Sequence, residues 1–428
     1  MSRRTLSKTS EFAPTWYEEN AVPAPACHDI SAAVDTCDVA IIGGGLAGLS
    51  AALHLALAGS KVVIIEKYAI GQSASGRNGG FCSSGWACST DDISKMVGPI
   101  KAQALDDLAK EGLIWMRRRA FSEEYASCKP VNGCLSLSLF ADQKFDISKQ
   151  GLSKLIHGPR YKSGEVDLTA FHFHPLNFLR CLTRECLSAG VNIQQNCEVI
   201  KIRSVSQGKA ILTLDDNSTT VTASKVIITT GGTGGAQLSK MTRLILPIQT
   251  FIVVSDPMPE IMTHHIPTEF SIADTRRAGN YFRKLSDGRL LWGMGISALS
   301  APSQQKINIM ATKNIAAHLP DLAKDMSYAN INLAYAWSGT MGYARHFMPY
   351  VGQIDKNMFC AVGFGGHGMN TAPIAGKVIA ESLLGISDRL EAFRSIPHQA
   401  TFGAIGKTAA ELYYRKIIIK DSIRERLA

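Results

Sequence analysis

Apolar and polar positions change period twice between residues 38 and 66. An unbroken apolar run, Val39 to Ile42, predicts a buried strand, and the glycines Gly43 to Gly45 end it. Leu46 to Ala58 then repeats apolar residues at helical spacing, and Lys61 to Ile65 predicts a second strand ending in Glu66. Strand, glycine turn, helix and strand in this order form a βαβ unit. Further on, helices are predicted over about Ile100 to Arg119 and Pro175 to Ala189, with a strand from Cys134 to Phe140.

Short strands follow at Val191 to Gln194, Glu198 to Arg203 and Ala210 to Leu214. After the turn Asp215-Asp216-Asn217, Thr219 to Val221 leads into Lys225 to Thr230, which stops at Gly231-Gly232. Their close spacing predicts antiparallel pairing. Two β-rich stretches come next, Ile248 to Ser255 and Asn280 to Gly295, the second with a turn at Ser286-Asp287-Gly288; a helix follows at Gln304 to Leu319. Met358 to Gly363 predicts a strand, a glycine cluster follows it, and a helix runs from about Thr371 to Leu384. Residues 1–34 carry Pro14, Pro23 and Pro25 with little periodicity, which predicts a surface arm of small consequence for chemistry.

The 428 residues are 46% hydrophobic and 19% charged, enough apolar material for two domains and too much for a disordered chain. No apolar run reaches the roughly 20 residues of a membrane span, and Met1 to Thr15 is polar, so the chain is read as cytoplasmic with no stable membrane insertion. The ten cysteines form no C-x-x-C pair, which points to reduced thiols. The 45 basic residues exceed the 36 acidic ones, but no aromatic-interleaved basic stripe accompanies them and no nucleic acid is expected as partner. Ile417-Ile418-Ile419 is read as part of a docked C-terminal helix. His172 and His174 lack a third ligand at metal spacing, and His264-His265 reads as surface loop, so no metal is expected.

Gly43-x-Gly45-x-x-Gly48 stands between strand and helix, where missing side chains let backbone approach a pyrophosphate held at a helix N-terminus. Glu66, 18 residues beyond Gly48, is placed to accept from ribose hydroxyls and disfavours a 2′-phosphate. This pattern predicts a dinucleotide without separating NAD from FAD. The ten small and polar residues Gly71 to Gly80 cannot build a core but can wrap a flat polar ring system. Near the other end, Gly365 to Gly368 precedes a helix whose N-terminus favours negative charge.

The run from Asp38 to Gly80 resembles the FAD-binding head of the D-amino acid oxidase superfamily, and its SGRNGG segment is most similar to the gamma-glutamylputrescine oxidoreductase branch. Trp337-Ser-Gly-Thr-Met-Gly342, Met348-Pro-Tyr-Val-Gly352 and Gly363-Phe-Gly-Gly-His-Gly368 resemble the C-terminal flavin signature of that family. The resemblance implies a mixed α/β fold: a Rossmann-like FAD domain from residues 35–92, 168–245 and 332–428, and an antiparallel-sheet substrate domain from 93–167 and 246–331.

It also implies FAD held non-covalently, since Trp337 to Val351 contains no cysteine and Cys360 falls on the following strand. The cofactor contacts it implies are Gly43, Gly45, Leu46, Ala47, Gly48, Glu66, Lys67, Ser73, Ser75, Gly76, Arg77, Asn78, Gly79, Gly80, Val199, Gly231, Gly366, His367 and Gly368. His367, Tyr281 and Trp337 would stand nearest the chemistry.

The implied activity is oxidation of an amine C–N bond with hydride transfer to the flavin, oxygen or another acceptor taking the electrons. Oxidases of α-amino acids in the superfamily resemble one another in placing an arginine a few residues before Pro-x-x-Gly; here that position is Met341, with Arg345 further on. An amine without an α-carboxylate is therefore expected. A D-amino acid, glycine or sarcosine oxidase or dehydrogenase is the alternative, and a non-catalytic flavoprotein assembly factor is the alternative of another class.

Overall fold

The computed structural model describes residues 12–27, 36–205, 208–215, 218–232 and 243–427. The arm's residues 1–11 and 28–34, and Asp216-Asn217 of the expected turn, lie outside them.

Two sheets organise the chain. The first has eight strands. Its centre is β1 (Thr36–Ile42), flanked by β2 (Val62–Ile65) and β10 (Thr220–Ile228), with β7 (Asn192–Gln194) beyond β2. On the other side β17 (Met358–Val362) pairs with β10 and carries β16 (Tyr350–Asp355). The sheet is covered on both faces, which explains why its strands are continuous apolar runs. Val39, Ile41, Val62 and Ile64 point into one core, Ala40, Ile42, Val63 and Ile65 into another.

The antiparallel expectation for residues 191–230 holds only in part. β8 (Val199–Val205), β9 (Lys209–Leu214) and the first half of β10 form an antiparallel meander, but β7 pairs parallel with β2. β10 is one strand where the sequence suggested two pieces: Thr220 to Ala223 pair with β9, and Val226 to Ile228 pair parallel with β17. Along its other edge β10 pairs parallel with β1.

The second sheet has nine strands. Its backbone is the antiparallel set β15 (Leu333–Ala344), β11 (Ile245–Ser255), β14 (Leu290–Ser297) and β13 (Tyr281–Lys284). β12 (Ser271–Asp274), β4 (Val131–Ser138), β6 (Ser163–His172), β5 (Ile147–Ser148) and the short β3 (Phe81–Cys82) complete it.

This arrangement redraws two of the expected boundaries. The helix Pro99–Ala120, expected in the substrate part, buries Leu105, Leu108, Ala109 and Met116 in the same core as the helices Leu46–Leu57 and Gly368–Leu383. Strand β15, expected in the FAD part, belongs to the second sheet.

The arm is not peripheral. The helix Trp16–Asn20 is closed by a capping box between Thr15 and Glu18, and Trp16 and Tyr17 are buried against Leu176, Leu291 and Trp337. At the other end, the helix Gly403–Leu427 docks by one face: Tyr414 is buried, Glu411 accepts from Ala298 N, and Arg160 and Glu425 form a two-point pair. Ile418 and Ile419 stay exposed. Among the described residues no helix is long and apolar enough to cross a membrane.

Candidate functional site

Two helices begin at the carboxyl ends of parallel strands, the edge where open α/β sheets take up ligands. After β1 the chain turns at Gly43, whose φ of +109° a side chain would strain, and enters the helix Leu46–Leu57. A Cβ on Gly48 would lie 2.0 Å from the Gly43 carbonyl oxygen, so the turn closes only with glycine there. No side chain caps the helix from Gly45, which leaves first-turn N–H groups available to an outside acceptor. Leu46 N donates to Ser75 Oγ at 3.3 Å, so the open groups of this turn are those of Ala47 and Gly48.

The second helix, Gly368–Leu383, follows β17; it begins three residues earlier than the sequence suggested, with His367 at its cap and no side-chain cap bond. The two helices pack closely enough that Ser50 Oγ donates to Pro373 O, and a Cβ on Gly376 would lie 2.2 Å from Ala47 O.

Glu66 closes the turn from the side. Its Oε2 accepts from Gly44 N at 2.6 Å and its Oε1 from Tyr68 N at 3.0 Å. Burial raises its pKa against the pull of these bonds. Lys67 pairs with Glu198 at 3.3 Å, next to Val199 at the start of β8, so Glu66, Lys67 and Val199 come together at one end of the turn.

The 71–80 loop contains a short helix, Ala74–Arg77, that starts after Ser73 with no side-chain cap bond and is made tight by Gly76. Three consecutive carbonyls of this loop are held from behind. Trp337 Nε1 donates to Arg77 O at 2.9 Å, Tyr17 OH to Asn78 O at 2.8 Å, and Arg283 Nε to Gly79 O at 2.8 Å. Asn78 fastens the loop internally: its Oδ1 accepts from Gly80 N, and its Nδ2 reaches the Ala74 and Ser75 carbonyls and Met369 Sδ. The front of the loop is thereby set against the second helix N-terminus.

This geometry corrects two expectations. The Arg77 side chain turns away from the helix N-termini: Nη2 donates to Ala13 O at 2.7 Å, Nη1 lies 3.8 Å from Glu18, and Phe12 covers the guanidinium. Trp337, expected nearest the chemistry, is covered by protein on every side and stands behind the loop as a positioning residue. Neither Arg283 nor Tyr17 is among the site residues that the sequence predicts; Tyr17 marks only where the family resemblance begins in the arm, and Arg283 is one arginine among the aromatic and apolar positions of a strand.

His367, Gly366, Met341, Tyr343 and Tyr281 collect on the open side. Gly365 N donates to Gly342 O, tying the glycine loop to β15, and a Cβ on Gly366 would meet Met341 Sδ and Tyr343 OH at 3.1 Å. His367 keeps an open ring surface, yet the surrounding protein lowers its pKa, leaving a neutral imidazole at pH 7. Tyr281 packs on Gly79 and Gly293, and burial pushes its phenol up to about 12. Gly231, after β10, lies beyond the turn that Thr229 Oγ1 secures by donating to Ile42 O and Gly43 O.

A further cation stands near this group. Asp274 accepts from Arg276 N, Asn280 N and the Arg276 guanidinium, a knot that presents the exposed Arg277 with its guanidinium 4.4 Å from the centre of the Phe347 ring. Phe347 in turn packs edge-on to Tyr343 at 5.8 Å. Arg345 lies on the exposed turn after β15.

Behind the loop, Arg283 also donates to Phe173 O and Tyr17 OH and faces His172 Nδ1 at 3.0 Å, while His174 Nδ1 caps the helix Pro175–Ser188 by accepting from Asn177 N. Burial and Arg283 hold both imidazoles near pKa 3, and burial holds His318 near 2. Each folded-state value lies below the unfolded 6.5, so this stability is complete above pH ~6.5 and is lost as pH falls toward 3. At pH 5 each of the three costs about 2 kcal/mol. Urea midpoints measured at pH 7.5, 6 and 5 should fall steeply; a midpoint unchanged down to pH 5 would contradict the neutral imidazoles.

The family described as DAO, FAD dependent oxidoreductase, matches residues 38–382. A probable oxidoreductase OrdL of Rhizobium meliloti is 29% identical, over 93% of this chain and 95% of the relative. Gamma-glutamylputrescine oxidoreductase of Escherichia coli is 27% identical, over 92% of this chain and 93% of the relative. Among solved structures, glycine oxidase from Geobacillus kaustophilus superposes with a TM-score of 0.64 at 19% identity, covering 86% of this chain and all of that one, a likeness of fold.

Proposed function

Since the chain belongs to the DAO family of FAD-dependent oxidoreductases, we propose that it oxidises the C–N bond of an amine that carries no carboxylate on its reacting carbon. The observation that carries this reading is Met341, half-buried beside Gly366 where a carboxylate-pairing arginine would be expected, with the nearby cation Arg277 supplied by a different loop. Such a layout suits a substrate whose anionic group lies several bonds from the amine, as in a gamma-glutamyl derivative of a diamine.

The residues present fit FAD. The uncapped helix start at Leu46, with Ala47 and Gly48, would hold the pyrophosphate, and Glu66 would accept from the ribose hydroxyls. Val199 and Lys67 would flank the adenine end. Ser73, Ser75, Gly76 and the backbone of Arg77 to Gly80 would line the flavin, with Gly231, Gly366, His367 and Gly368 opposite. FAD held there would supply a hydride acceptor for the carbon next to the amine nitrogen, leaving an imine for hydrolysis in water.

The chain's own residues bind and orient the substrate. Neutral His367 accepts a hydrogen bond from the amine at a ring nitrogen, which favours the deprotonated amine whose lone pair supports hydride loss, the proton going to water. Tyr281, Tyr343 and Met341 wall the amine's carbon chain, and Arg277 pairs with the distant carboxylate. The N-terminus of the helix Gly368–Leu383 offers positive potential to charge that develops on reduction.

The test is anaerobic flavin bleaching with gamma-glutamylputrescine, putrescine, D-alanine, glycine and sarcosine. The first should react with the highest kcat/KM; preference for any of the last three would refute the reading in favour of an amino acid oxidase. Arg277→Met should raise KM for gamma-glutamylputrescine at least tenfold and leave putrescine almost unaffected, because one charge-assisted pair contributes about 1.5–3 kcal/mol. An equal loss for both amines would remove Arg277 from recognition.

The flavin is expected to be held without a covalent bond. Cys360, the cysteine nearest the C-terminal signature, is buried with its thiol pushed up to about 12 and its Sγ donating to Tyr350 O. Acid precipitation should release all flavin to the supernatant; colour remaining in the pellet would overturn this.

A further inference from the structure

The helix Pro259–His265 ends in two histidines that the sequence reading took for ordinary surface loop. Folding brings a third, His157, against them from the segment that leads from β5 to β6, and His157 N donates to His265 O at 2.8 Å. A ring nitrogen of each of His157, His264 and His265 lies within 4.8 Å of the other two. The rings meet edge to face rather than stacked, with interplanar angles of 80°, 85° and 78°. We propose that these three imidazoles form a binding site for a borderline divalent transition-metal ion, of which zinc is the probe.

His265 supplies the independent indication. The residue is 2% exposed, and its Nε2 lies 2.8 Å from Asp325 Oδ2. An ionised carboxylate only accepts, so in the neutral imidazole this contact places the proton on Nε2 and leaves a lone pair on Nδ1. That Nδ1 is buried and has no hydrogen-bond partner. Leaving a buried polar atom unpaired is costly, and a metal ion removes the cost by taking the lone pair. The carboxylate behind the imidazole is also the usual outer partner of a metal-bound histidine, since it fixes the tautomer and raises the basicity of the ligating nitrogen.

Geometry and donor chemistry define the ion. Ligand bonds of about 2.0–2.1 Å call for nitrogens about 3.3 Å apart in a tetrahedral site. The exposed His264 ring and half-buried His157 can close the remaining gap by side-chain rotation, while His265 stays fixed. Three imidazoles without thiolate suit zinc, cobalt, nickel or copper and exclude calcium and magnesium, which need oxygen ligands. The fourth position would face solvent through the open concavity lined by Pro259, Glu260, Thr263 and His264. The ligands come from two segments far apart in sequence, and none belongs to the glycine turns. The bound ion would therefore tie the 153–162 segment to the helix Pro259–His265, stabilising the second sheet's outer layer and taking no part in redox chemistry.

Zinc binding can be measured on the FAD-loaded protein by equilibrium dialysis after chelator treatment. One zinc per chain is expected, with a rise in melting temperature on saturation. His264→Gln and His157→Gln should weaken binding at least tenfold while leaving flavin content and the metal-free melting temperature unchanged. Asp325→Asn should weaken it about tenfold. The chain has 11 histidines, so binding elsewhere is the competing outcome. No saturable zinc, or equal affinity in wild type and both glutamine variants, would overturn the site. His265→Gln is left aside because a buried side chain can fail by misfolding.

Discussion

Gly45→Val should give a folded protein without flavin. A Cβ at Gly45 meets only the Ser75 side chain, its Oγ at 3.1 Å, so the substitution costs the fold little while placing a branched side chain at the helix start where the pyrophosphate would lie. Flavin content should fall at least a hundredfold with a near-native circular dichroism spectrum. Gly48→Ala makes the necessary contrast. Its added methyl would lie 2.0 Å from Gly43 O and 2.8 Å from Thr229 Oγ1, so the turn itself must open, with several kcal/mol lost in overall stability. The pair separates a ligand-facing glycine from a fold-closing one. Full flavin content in Gly45→Val would move the pyrophosphate away from this turn.

Arg283→Met should destabilise the protein by about 3–5 kcal/mol, because removing a buried cation leaves its partners without donors. The partners are Gly79 O, Phe173 O, Tyr17 OH and His172 Nδ1, and the guanidinium is 5% exposed. Flavin retention should fall as well, since the Gly79 carbonyl loses the bond that fixes the loop. Tyr17→Phe is the milder companion: it removes the hydrogen bond to Asn78 O and the one accepted from Arg283, and should cost about 1–3 kcal/mol. Urea unfolding with flavin fluorescence as a second readout measures both. If Arg283→Met matched wild type in midpoint and flavin content, the loop would not depend on the cage behind it.

Both predictions rest on parts of the molecule that were legible to different degrees in the chain. The βαβ unit, its glycine turn and Glu66 are local features. Each depends on periodicity or on a residue type within a span of about thirty positions, and there the pattern and the fold agree. The same holds for the hairpin around Asp287 and for the helices Pro175–Ser188 and Gln304–His318. Strand direction was less accessible, because β10 changes partners midway and nothing in residues 220–228 records that β17 arrives from 130 positions later.

Of the cage behind the 71–80 loop only Trp337 was singled out, and for a different role. Tyr17, Arg283 and Trp337 stand 61, 204 and 260 residues from the carbonyls they hold, so no spacing links them. Arg77 looked like a ligand contact because it lies inside a glycine-rich loop, and only its neighbours Ala13, Glu18 and Phe12 show where its charge is used. Arg277 likewise has no motif; it owes its position to the Asp274 knot.

By itself, then, the sequence determined the elements whose signals are short-range: strand and helix periods, the turn that only glycine can close, and the acidic residue that follows. Tertiary structure alone decided which carbonyls are held, that Arg77 and Arg283 are spent on scaffolding while Arg277 stays open, and which histidines meet. Those outcomes depend on through-space distances of a few ångströms between residues tens to hundreds of positions apart, where chain connectivity imposes no spacing and packing sets the geometry.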